Sequence, residues 1–313
     1  MILTVTANVA IDRTYVIDHL EVGAVHKVSK AFAHTGGKGV NVSRTVASLG
    51  GRTLVAGLVG ASNLEHATRD LRDAGLDSAL FAVEGAARQT VTVTAQDGTT
   101  TAFDELGPTV RQQEWADFER HIDGLLANAE MVVIAGSLPP GTPDQSLENL
   151  CRCANQHSVP VILDARGAAM RGAQNQTPLV AKLNRVELEE TLGRELAGEQ
   201  DIVEAAGELH SEGAQNVVVT LGADGAIAVN PDGVWRVTHP PAEGNPIGAG
   251  DAFSAALALA LIDNKPFDEA LRQGAACALA SLRAPTAGAL DPEDMHTALP
   301  TVKIHHSSGV EAR

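Results

Sequence analysis

A glycine-rich turn followed by an aspartate is the feature of this sequence best suited to chemistry. Gly248-Ala249-Gly250-Asp251 stands directly before an apolar run at residues 252–262, which predicts a helix. Glycines permit close approach of a ligand, and a helix start offers unpaired N–H groups and the positive end of its dipole to an anion. The aspartate could then reach a substrate hydroxyl while the backbone holds a phosphate. The alternative is an ordinary turn in which Asp251 caps the helix.

Four more polar or glycine-rich clusters follow predicted strands, at residues 8–12, 36–41, 136–141 and 221–225. Ligands of an open α/β sheet bind beyond the carboxyl ends of its strands, so five clusters on one rim indicate a binding cleft. The sequence contains no G-x-x-x-x-G-K-[ST], which excludes a Walker-type phosphate loop. No G-x-G-x-x-G follows the first strand, which disfavours a dinucleotide site.

Hydrophobic periodicity predicts the elements that position these clusters. Strands are expected at 2–9, 53–59, 131–135, 159–163, 179–183 and 216–221. Helices are expected after Asn41 and at 64–74, 113–127, 144–157, 185–192, 202–211 and 268–281. This alternation predicts an α/β fold with a mostly parallel sheet covered on both faces. Residues 226–230 and 234–237 predict an antiparallel edge, and the polar tail from Val302 is expected to fray.

A second, smaller sheet is predicted from chain outside this alternation. Residues 89–95 and 99–103 alternate in polarity and meet at Asp97-Gly98, a strong hairpin signal, and residues 14–17 and 25–32 are also β-like. No linker or repeat interrupts the chain. We therefore expect one α/β domain, residues 1–313, with a small β lid made from approximately 13–33 and 87–104.

Composition limits the partners. The chain has 313 residues, of which 44% are hydrophobic, and a net charge of −16, which argues against nucleic acid and anionic membranes. An anionic substrate must then be held by a few local basic groups, helix ends and a metal. No apolar run approaches the ~20 residues of a membrane span, and the start lacks the basic region of a signal peptide. Three cysteines make no disulfide framework, so we expect a reducing, cytoplasmic setting.

Several short motifs together resemble the PfkB (ribokinase-like) carbohydrate kinases over most of the chain, up to about Leu299. Gly36-Gly37-Lys38-Gly39 with Asn41, and Gly248-Ala249-Gly250-Asp251, are similar to the two signature regions of that family. The branch that acts on phosphorylated hexoses is indicated by three further strings: Asn8-Val9-Ala10-Ile11-Asp12, Glu105-Leu106-Gly107-Pro108 and Gly136-Ser137-Leu138-Pro139-Pro140-Gly141. The resemblance implies a ribokinase-like three-layer fold with a small β-sheet lid.

The resemblance also implies a sugar-phosphate side to the cleft. Asp12 would bind sugar hydroxyls through its carboxylate. Arg88 would bind the phosphate that the sugar already carries, because a guanidinium binds phosphate bidentately. The other substrate contacts that it implies are Gly37, Lys38, Asn41 and Ser137.

The opposite side would bind the nucleotide and its metal. Asn184 and Glu187 match the N-x-x-E of the family, which helps to place Mg²⁺ through water. The implied contacts to ATP are Lys182, Asn184, Thr220, Gly222 and Gly225. Asp251 would act as general base, while the backbone N–H groups of Gly248, Ala249 and Gly250 would stabilise the transferring phosphoryl group. One departure falls at Asp164-Ala165-Arg166-Gly167, which replaces the commoner D-x-S-G, and Arg166 could touch a nucleotide phosphate or only the surface.

We therefore expect an ATP-dependent sugar-phosphate kinase that converts fructose 1-phosphate to fructose 1,6-bisphosphate. Tagatose-6-phosphate or fructose-6-phosphate kinase is the alternative within the same chemistry. A nucleoside or ribose kinase would not need Arg88. A non-catalytic sugar-phosphate sensor predicts damage at Asp251 or the glycines, which are intact. Exposed lid edges, together with the family's habit, predict a homodimer through the lid.

Overall fold

The protein is built around a large, mostly parallel β-sheet. The computed structural model describes residues 1–308. The strands are β1 Ile2–Thr6, β2 Ala10–Ile17, β3 Lys30–Gly36, β4 Thr53–Gly60, β5 Ser78–Val83, β6 Arg88–Ala95, β7 Thr100–Asp104, β8 Met131–Ala135, β9 Val161–Asp164, β10 Val180–Asn184, β11 Asn216–Thr220, β12 Ala226–Asn230, β13 Gly233–Thr238 and β14 Lys303–Ser307.

The helices fill the connections between these strands. They are α1 Lys38–Ser48, α2 Leu64–Asp73, α3 Gln112–Leu126, α4 Ser146–Gln156, α5 Gly167–Gln174, α6 Arg185–Leu192, α7 Glu199–Ser211, α8 Ala249–Ile262, α9 Phe267–Ser281 and α10 Pro292–Ala298. Among residues 1–308, none of these helices is both long and apolar enough to cross a bilayer.

The large sheet has the strand order β14-β13-β12-β11-β10-β9-β8-β1-β4-β5 within the described residues. Strands from β11 to β5 pair in parallel, whereas β12, β13 and β14 add an antiparallel edge. This confirms the predicted parallel sheet and the antiparallel pair at 226–230 and 234–237. The carboxyl ends of β8, β9, β10 and β11 therefore stand side by side on one rim.

Helices cover both faces of this sheet and make three layers. Helices α3 to α7 bury one set of side chains, including Trp115 and Phe118, against residues such as Leu3. Helices α1, α8 and α9 bury the opposite set, including Val46 and Phe253. Each large apolar side chain that is fully buried contributes roughly 1.5–3 kcal/mol. The layered packing fixes the rim loops between rigid elements.

Among residues 1–308, the second sheet has four strands in the order β3-β2-β6-β7 and joins two separate parts of the chain. β2 pairs antiparallel with β3 and parallel with β6, and the predicted hairpin is present as β6 and β7. The predicted strand at 25–32 was wrong in position: β3 begins only at Lys30, and Val25 is 98% exposed. Residues 30–36 have β2 as their partner, and β propensity alone does not hold a strand without one.

Several elements were missed by periodicity. β5, α5 and α10 were not predicted, although Asp291 and Pro292 form a recognisable start of α10.

The expectation of a frayed tail from Val302 was wrong for residues 303–307. Val302 is buried, β14 pairs with β13, and the ring of His306 stacks on Trp235 with centroids 3.9 Å apart. Residues 309–313 lie outside the described part of the chain.

Candidate active site

A cleft of about 870 Å³ opens beside the rim of the large sheet, where residues of the small sheet also line it. Every residue singled out from the sequence lines this cleft. They are Asp12, Gly37, Lys38, Asn41, Arg88, Ser137, Lys182, Asn184, Glu187, Thr220, Gly222, Gly225, Gly248, Ala249, Gly250 and Asp251. The structure thus brings together residues that are up to 239 positions apart, counting from Asp12 to Asp251.

The glycine turn leads directly into helix α8. Gly248 is the N-cap with φ of 85°, a left-handed conformation that favours glycine, and a Cβ there would lie 2.8 Å from that of Ala287. Asp251 is therefore the third residue of the helix, and the alternative in which it caps the helix is wrong. The predicted start of the helix at 252 was three residues late. Gly250 has a low helix propensity, so the prediction left the first turn out of the helix.

Of the three backbone N–H groups expected to face an anion, one is already engaged. The N–H of Ala249 donates to the Pro246 carbonyl oxygen at 3.2 Å. Within residues 1–308, the N–H groups of Gly248 and Gly250 have no hydrogen bond to another backbone group. These two groups and the dipole of α8 make its first turn suitable for an anion.

Asp251 is held at the base of the cleft by Asn41. The Asn41 Nδ2 donates to Asp251 Oδ2 at 2.8 Å, and Asp251 is 5% exposed. Burial and the nearby Asp164 raise the pKa of Asp251 to about 7, although Lys38, Asn41 and Lys182 act in the opposite direction. A carboxylate with this pKa can both accept and release a proton near neutral pH.

Beneath Asp251 lies a buried charge network that centres on Asp164. Asp164 is fully buried and accepts hydrogen bonds from Lys38 Nζ at 2.8 Å and Lys182 Nζ at 2.6 Å. Lys38 also donates to Glu187 Oε1 at 2.7 Å. Burial would raise the pKa of Asp164, but Lys182 and Lys38 outweigh it and hold that pKa at about 2. The carboxylates Asp164, Glu187 and Asp251 likewise raise the pKa of Lys38 against its burial.

No functional role was predicted for Asp164 from the sequence, although its partners Lys38 and Lys182 were both predicted as site residues. Its position at the carboxyl end of β9 was the available signal, since that rim carries the other site residues. The tight pairing also means that both cleft lysines are already committed to carboxylates in this state.

The end of the cleft beneath the small sheet carries Asp12 and Arg88. Burial raises the pKa of Asp12, while His34 and Arg88 oppose that effect. The Arg88 Nε donates to the Asn8 carbonyl oxygen at 3.0 Å, and its Nη1 donates to Thr90 Oγ1 at 3.2 Å. No carboxylate of residues 1–308 forms an ion pair with Arg88. Its guanidinium is therefore free to bind an anion.

The opposite end is formed by β10, β11 and the segments after them. Asn184 caps α6 by accepting from the Glu187 N–H at 2.9 Å, and Glu187 Oε2 accepts from the Asn184 N–H at 2.8 Å. Gly222 faces open space, whereas a Cβ at Gly225 would lie 2.0 Å from the Val237 carbonyl oxygen. Gly225 is thus required by strand β13, and not only by a ligand as the sequence suggested. Ala275, Ala278 and Leu279 of α9 add an apolar wall.

The oxygens of this end fit a hydrated Mg²⁺ and do not form a protein cage. Among residues 1–308 there is no cluster of three His, Cys, Asp or Glu side chains that could hold a metal. Asn184 and Glu187 nevertheless line the cleft, and both carry side-chain oxygens. Mg²⁺ keeps several waters and is commonly held by one or two carboxylates together with substrate phosphates, so this donor set suits it.

Comparison with known proteins agrees with the geometry. The model of the pfkB family carbohydrate kinases matches residues 5–294. A possible 1-phosphofructokinase from Thermotoga maritima is 27% identical, with a TM-score of 0.91 over 98% of this chain and 100% of that chain. Phosphofructokinase-2 from Escherichia coli, solved with fructose-6-phosphate, is 28% identical, with a TM-score of 0.86 over 96% of this chain and 98% of that chain.

A more distant structure defines the fold. The ribokinase of Arabidopsis thaliana, solved with ribose and ATP, is 22% identical, with a TM-score of 0.74 over 95% of this chain and 98% of that chain. At that identity the likeness shows the fold alone. Together these likenesses confirm the predicted ribokinase-like three-layer fold with a second, smaller sheet.

Proposed function

Because this chain belongs to the PfkB family of carbohydrate kinases, we propose that it transfers the γ-phosphoryl group of ATP to fructose 1-phosphate. The products are fructose 1,6-bisphosphate and ADP. The coarser activity, an ATP-dependent sugar kinase, is supported by the family and by its phosphofructokinase neighbours.

The observation that supports a phosphorylated acceptor substrate is the guanidinium of Arg88, which has no carboxylate partner among residues 1–308. Lys38 and Lys182 also line the cleft, but each is bonded to a buried carboxylate, whereas Arg88 bonds only to neutral oxygens. A phosphate at this end would give Arg88 a charge-assisted, bidentate partner. An unphosphorylated sugar would leave that cation without one.

Asp12 and Asn41 supply the contacts that orient the sugar. The carboxylate of Asp12 accepts hydrogen bonds from sugar hydroxyls at the same end of the cleft as Arg88. Asn41 Oδ1 is buried and has no hydrogen-bond partner among residues 1–308, so it can accept from the substrate while Nδ2 holds Asp251. Ser137 and the backbone at Gly37 complete this wall.

Asp251 is the general base in this proposal. It takes the proton from the free primary hydroxyl of the sugar as that oxygen forms a bond to the γ-phosphorus. The bond from the γ-phosphorus to the bridging oxygen of ATP breaks, and ADP leaves with its electron pair. The N–H groups of Gly248 and Gly250 and the Lys38 ammonium stabilise the charge on the transferring group.

Asn184 and Glu187 would hold Mg²⁺ through its water ligands, where the ion would neutralise phosphate charge. Thr220 and Gly222 border the nucleotide, the apolar wall from α9 suits its base, and Lys182 keeps Asp164 ionised beneath the phosphates. Each of these roles can be tested by substituting the residue concerned.

A panel of acceptors tests the proposal. Release of ADP would be compared for fructose 1-phosphate, fructose 6-phosphate, tagatose 6-phosphate and unphosphorylated fructose. We expect the highest kcat/KM with fructose 1-phosphate. A higher kcat/KM with unphosphorylated fructose would contradict a sugar-phosphate kinase. Fructose 6-phosphate is the second candidate, because the similar Escherichia coli enzyme was solved with it, and tagatose 6-phosphate is the third.

We further propose a homodimer formed through the small sheet. Large apolar side chains are exposed on this sheet and on the segment between its first two strands, with Val22 99%, Val25 98% and Phe103 59% exposed. Exposed apolar groups beside an edge strand favour association. A tetrameric inhibited form is known for the Escherichia coli phosphofructokinase-2.

A further inference from the structure

Arg166 lines the cleft and carries a positive charge, but the mechanism proposed above gives it no role. It lies two residues after the end of β9, serves as the N-cap residue of α5, and lines the same cleft as Asp251. In the sheet, β9 lies between β8, which leads to Ser137, and β10, which leads to Asn184. Arg166 therefore stands on the rim between the sugar end and the nucleotide end.

The guanidinium of Arg166 is only loosely held. Its Nη1 lies 3.6 Å from Glu190 Oε2, beyond hydrogen-bond distance, and its side chain is 59% exposed. Within residues 1–308 it makes no side-chain hydrogen bond, whereas Lys38 and Lys182 are bonded to Asp164 at 2.8 and 2.6 Å. Like Arg88, Arg166 is thus a cleft arginine without a hydrogen-bonded carboxylate among residues 1–308, and an anionic ligand can bind it without displacing a buried partner.

The two arginines face different substrates. Arg88 belongs to the small sheet and lies beside Asp12, at the sugar end. Arg166 faces α6, whose first turn carries Glu187 and whose second turn carries Glu190. We propose that the guanidinium of Arg166 leaves Glu190 when the nucleotide binds and forms hydrogen bonds to its β- and γ-phosphates. This assignment rests on the proposed ATP-dependent activity.

The choice of these phosphates follows from the position of β9. Helix α8 approaches the end of β9, since Ser254 Oγ lies 3.5 Å from Asp164 Oδ2, and Arg166 follows Asp164 by two residues. A γ-phosphate that approaches Asp251 of the same helix therefore lies on the side of the cleft that Arg166 lines. A planar guanidinium can bind two phosphate oxygens at once, and the exposed pair with Glu190 offers little resistance because such pairs contribute about 0–1 kcal/mol. An arginine at this position thus offers a charge-assisted, bidentate phosphate contact, whereas a serine hydroxyl could donate only one neutral hydrogen bond.

Isothermal titration of the full-length protein with ATP, ADP and AMP, without any sugar, tests the assignment. Arg166→Ala is expected to weaken ATP and ADP by about tenfold, as for loss of one partly exposed charge-assisted contact. AMP, which lacks both phosphates, should bind within about twofold of its wild-type affinity by the same reasoning. Arg166→Lys, which keeps the charge but not the fork, should fall between the two.

Two further variants separate binding from a structural effect. Glu190→Gln removes the loose partner but keeps the guanidinium, and should leave ATP affinity equal to or higher than that of the wild type. Arg171→Ala is the matched control, since Arg171 lies on α5 and also pairs with a glutamate, Nε to Glu212 Oε1 at 3.1 Å, but does not line the cleft. It should bind all three nucleotides normally.

Three results would overturn the assignment: unchanged ATP affinity in Arg166→Ala, equal loss for ATP and AMP, or the same loss in Glu190→Gln. Steady-state kinetics adds a fourth, because a raised KM for the sugar phosphate with normal ATP affinity would place Arg166 on the other substrate. A protein that binds ATP but phosphorylates no sugar phosphate would contradict the proposed function instead. The titrations would still report on Arg166.

Discussion

The side-chain amide of Asn41 donates to Asp251 Oδ2 across 2.8 Å and so joins the first turns of helices α1 and α8. The two signature regions of the chain meet in this hydrogen bond, 210 residues apart in sequence. The bond favours the ionised form of Asp251 against burial, which raises the pKa to about 7. Asn41 therefore tunes the residue to which we assign proton transfer.

The pH dependence of turnover follows from this pair. A general base must be ionised, so kcat/KM should fall as the pH drops through about 7 and level off above it. Asn41→Ala removes a hydrogen bond that favours the carboxylate, so the acidic limb should move to higher pH. Rate profiles of both proteins from pH 5 to 9 provide the measurement. A limb near pH 4 in the wild type, or one that Asn41→Ala does not move, would contradict the account.

Lys182 and Asp164 should behave as one unit in stability. Both are buried and their charged atoms are 2.6 Å apart, so Lys182→Met leaves Asp164 with Lys38 alone. Breaking a buried pair costs about 3–5 kcal/mol, largely because it leaves a charge uncompensated. Urea unfolding of Lys182→Met, Asp164→Asn and the double variant should show a double-variant loss smaller than the sum of the two single losses. Additive losses would indicate that the pair is not coupled.

Arg88 should matter only for a phosphorylated acceptor. Arg88→Ala is expected to raise KM for the sugar phosphate by about tenfold or more, in line with the loss of a charge-assisted phosphate contact. KM for ATP and the rate with unphosphorylated fructose should stay near wild type. Arg13→Ala is the control, because Arg13 lies on the small sheet and bonds to Gln89 at 3.0 Å outside the cleft. Equal losses with every acceptor would place Arg88 in another role.

The small sheet should mediate association. Phe103→Glu adds a charge to an exposed apolar position of strand β7 and should convert a dimer into a monomer. Val186→Glu is the control, since Val186 is 69% exposed but lies on α6, away from that sheet. Light scattering after size-exclusion chromatography gives the masses. A monomeric wild type, or a dimer that survives Phe103→Glu, would refute this interface.

The clusters at 8–12, 136–141 and 221–225 could be predicted because each follows a large-sheet strand with a clear apolar pattern, namely β1, β8 and β11. Gly248 to Asp251 could be identified without tertiary information, because they form the N-cap and first turn of the apolar helix α8. The role of Asp164 was not predicted, because it depends on contacts with two lysines from other elements. Strand periodicity does not show which residues of other elements are in contact. Gly225 was assigned to a ligand, but the carbonyl oxygen of Val237 on a neighbouring strand is what excludes a side chain there.

Errors in the fold have a similar origin. Residues 25–32 have the composition of a strand, yet pairing with β2 selects residues 30–36. Strand β14 looks polar in sequence, but backbone pairing with β13 and the stacking of His306 on Trp235 hold it at the sheet edge. In both cases a partner distant in sequence decides the structure, and local propensity does not report that partner.

Replacement of Asp251 by asparagine should separate catalysis from stability. A raised carboxyl pKa means that the folded protein binds this proton more tightly than the unfolded chain. Asp251 therefore lowers stability as the pH rises from the ordinary carboxyl value of about 4 to about 7. Asp251→Asn should unfold at a higher temperature than the wild type at pH 8, and this advantage should shrink towards pH 5. Such a result would show that the variant is folded.

Turnover by that folded variant tests the central claim most directly. The measurement is kcat for fructose 1-phosphate and ATP in Asp251→Asn, alongside ATP affinity by titration. The account predicts a fall in kcat of at least about 100-fold, as expected for loss of a general base, with ATP affinity within about twofold of wild type because the nucleotide contacts remain. A folded Asp251→Asn variant that turns over at nearly the wild-type rate would contradict the claim.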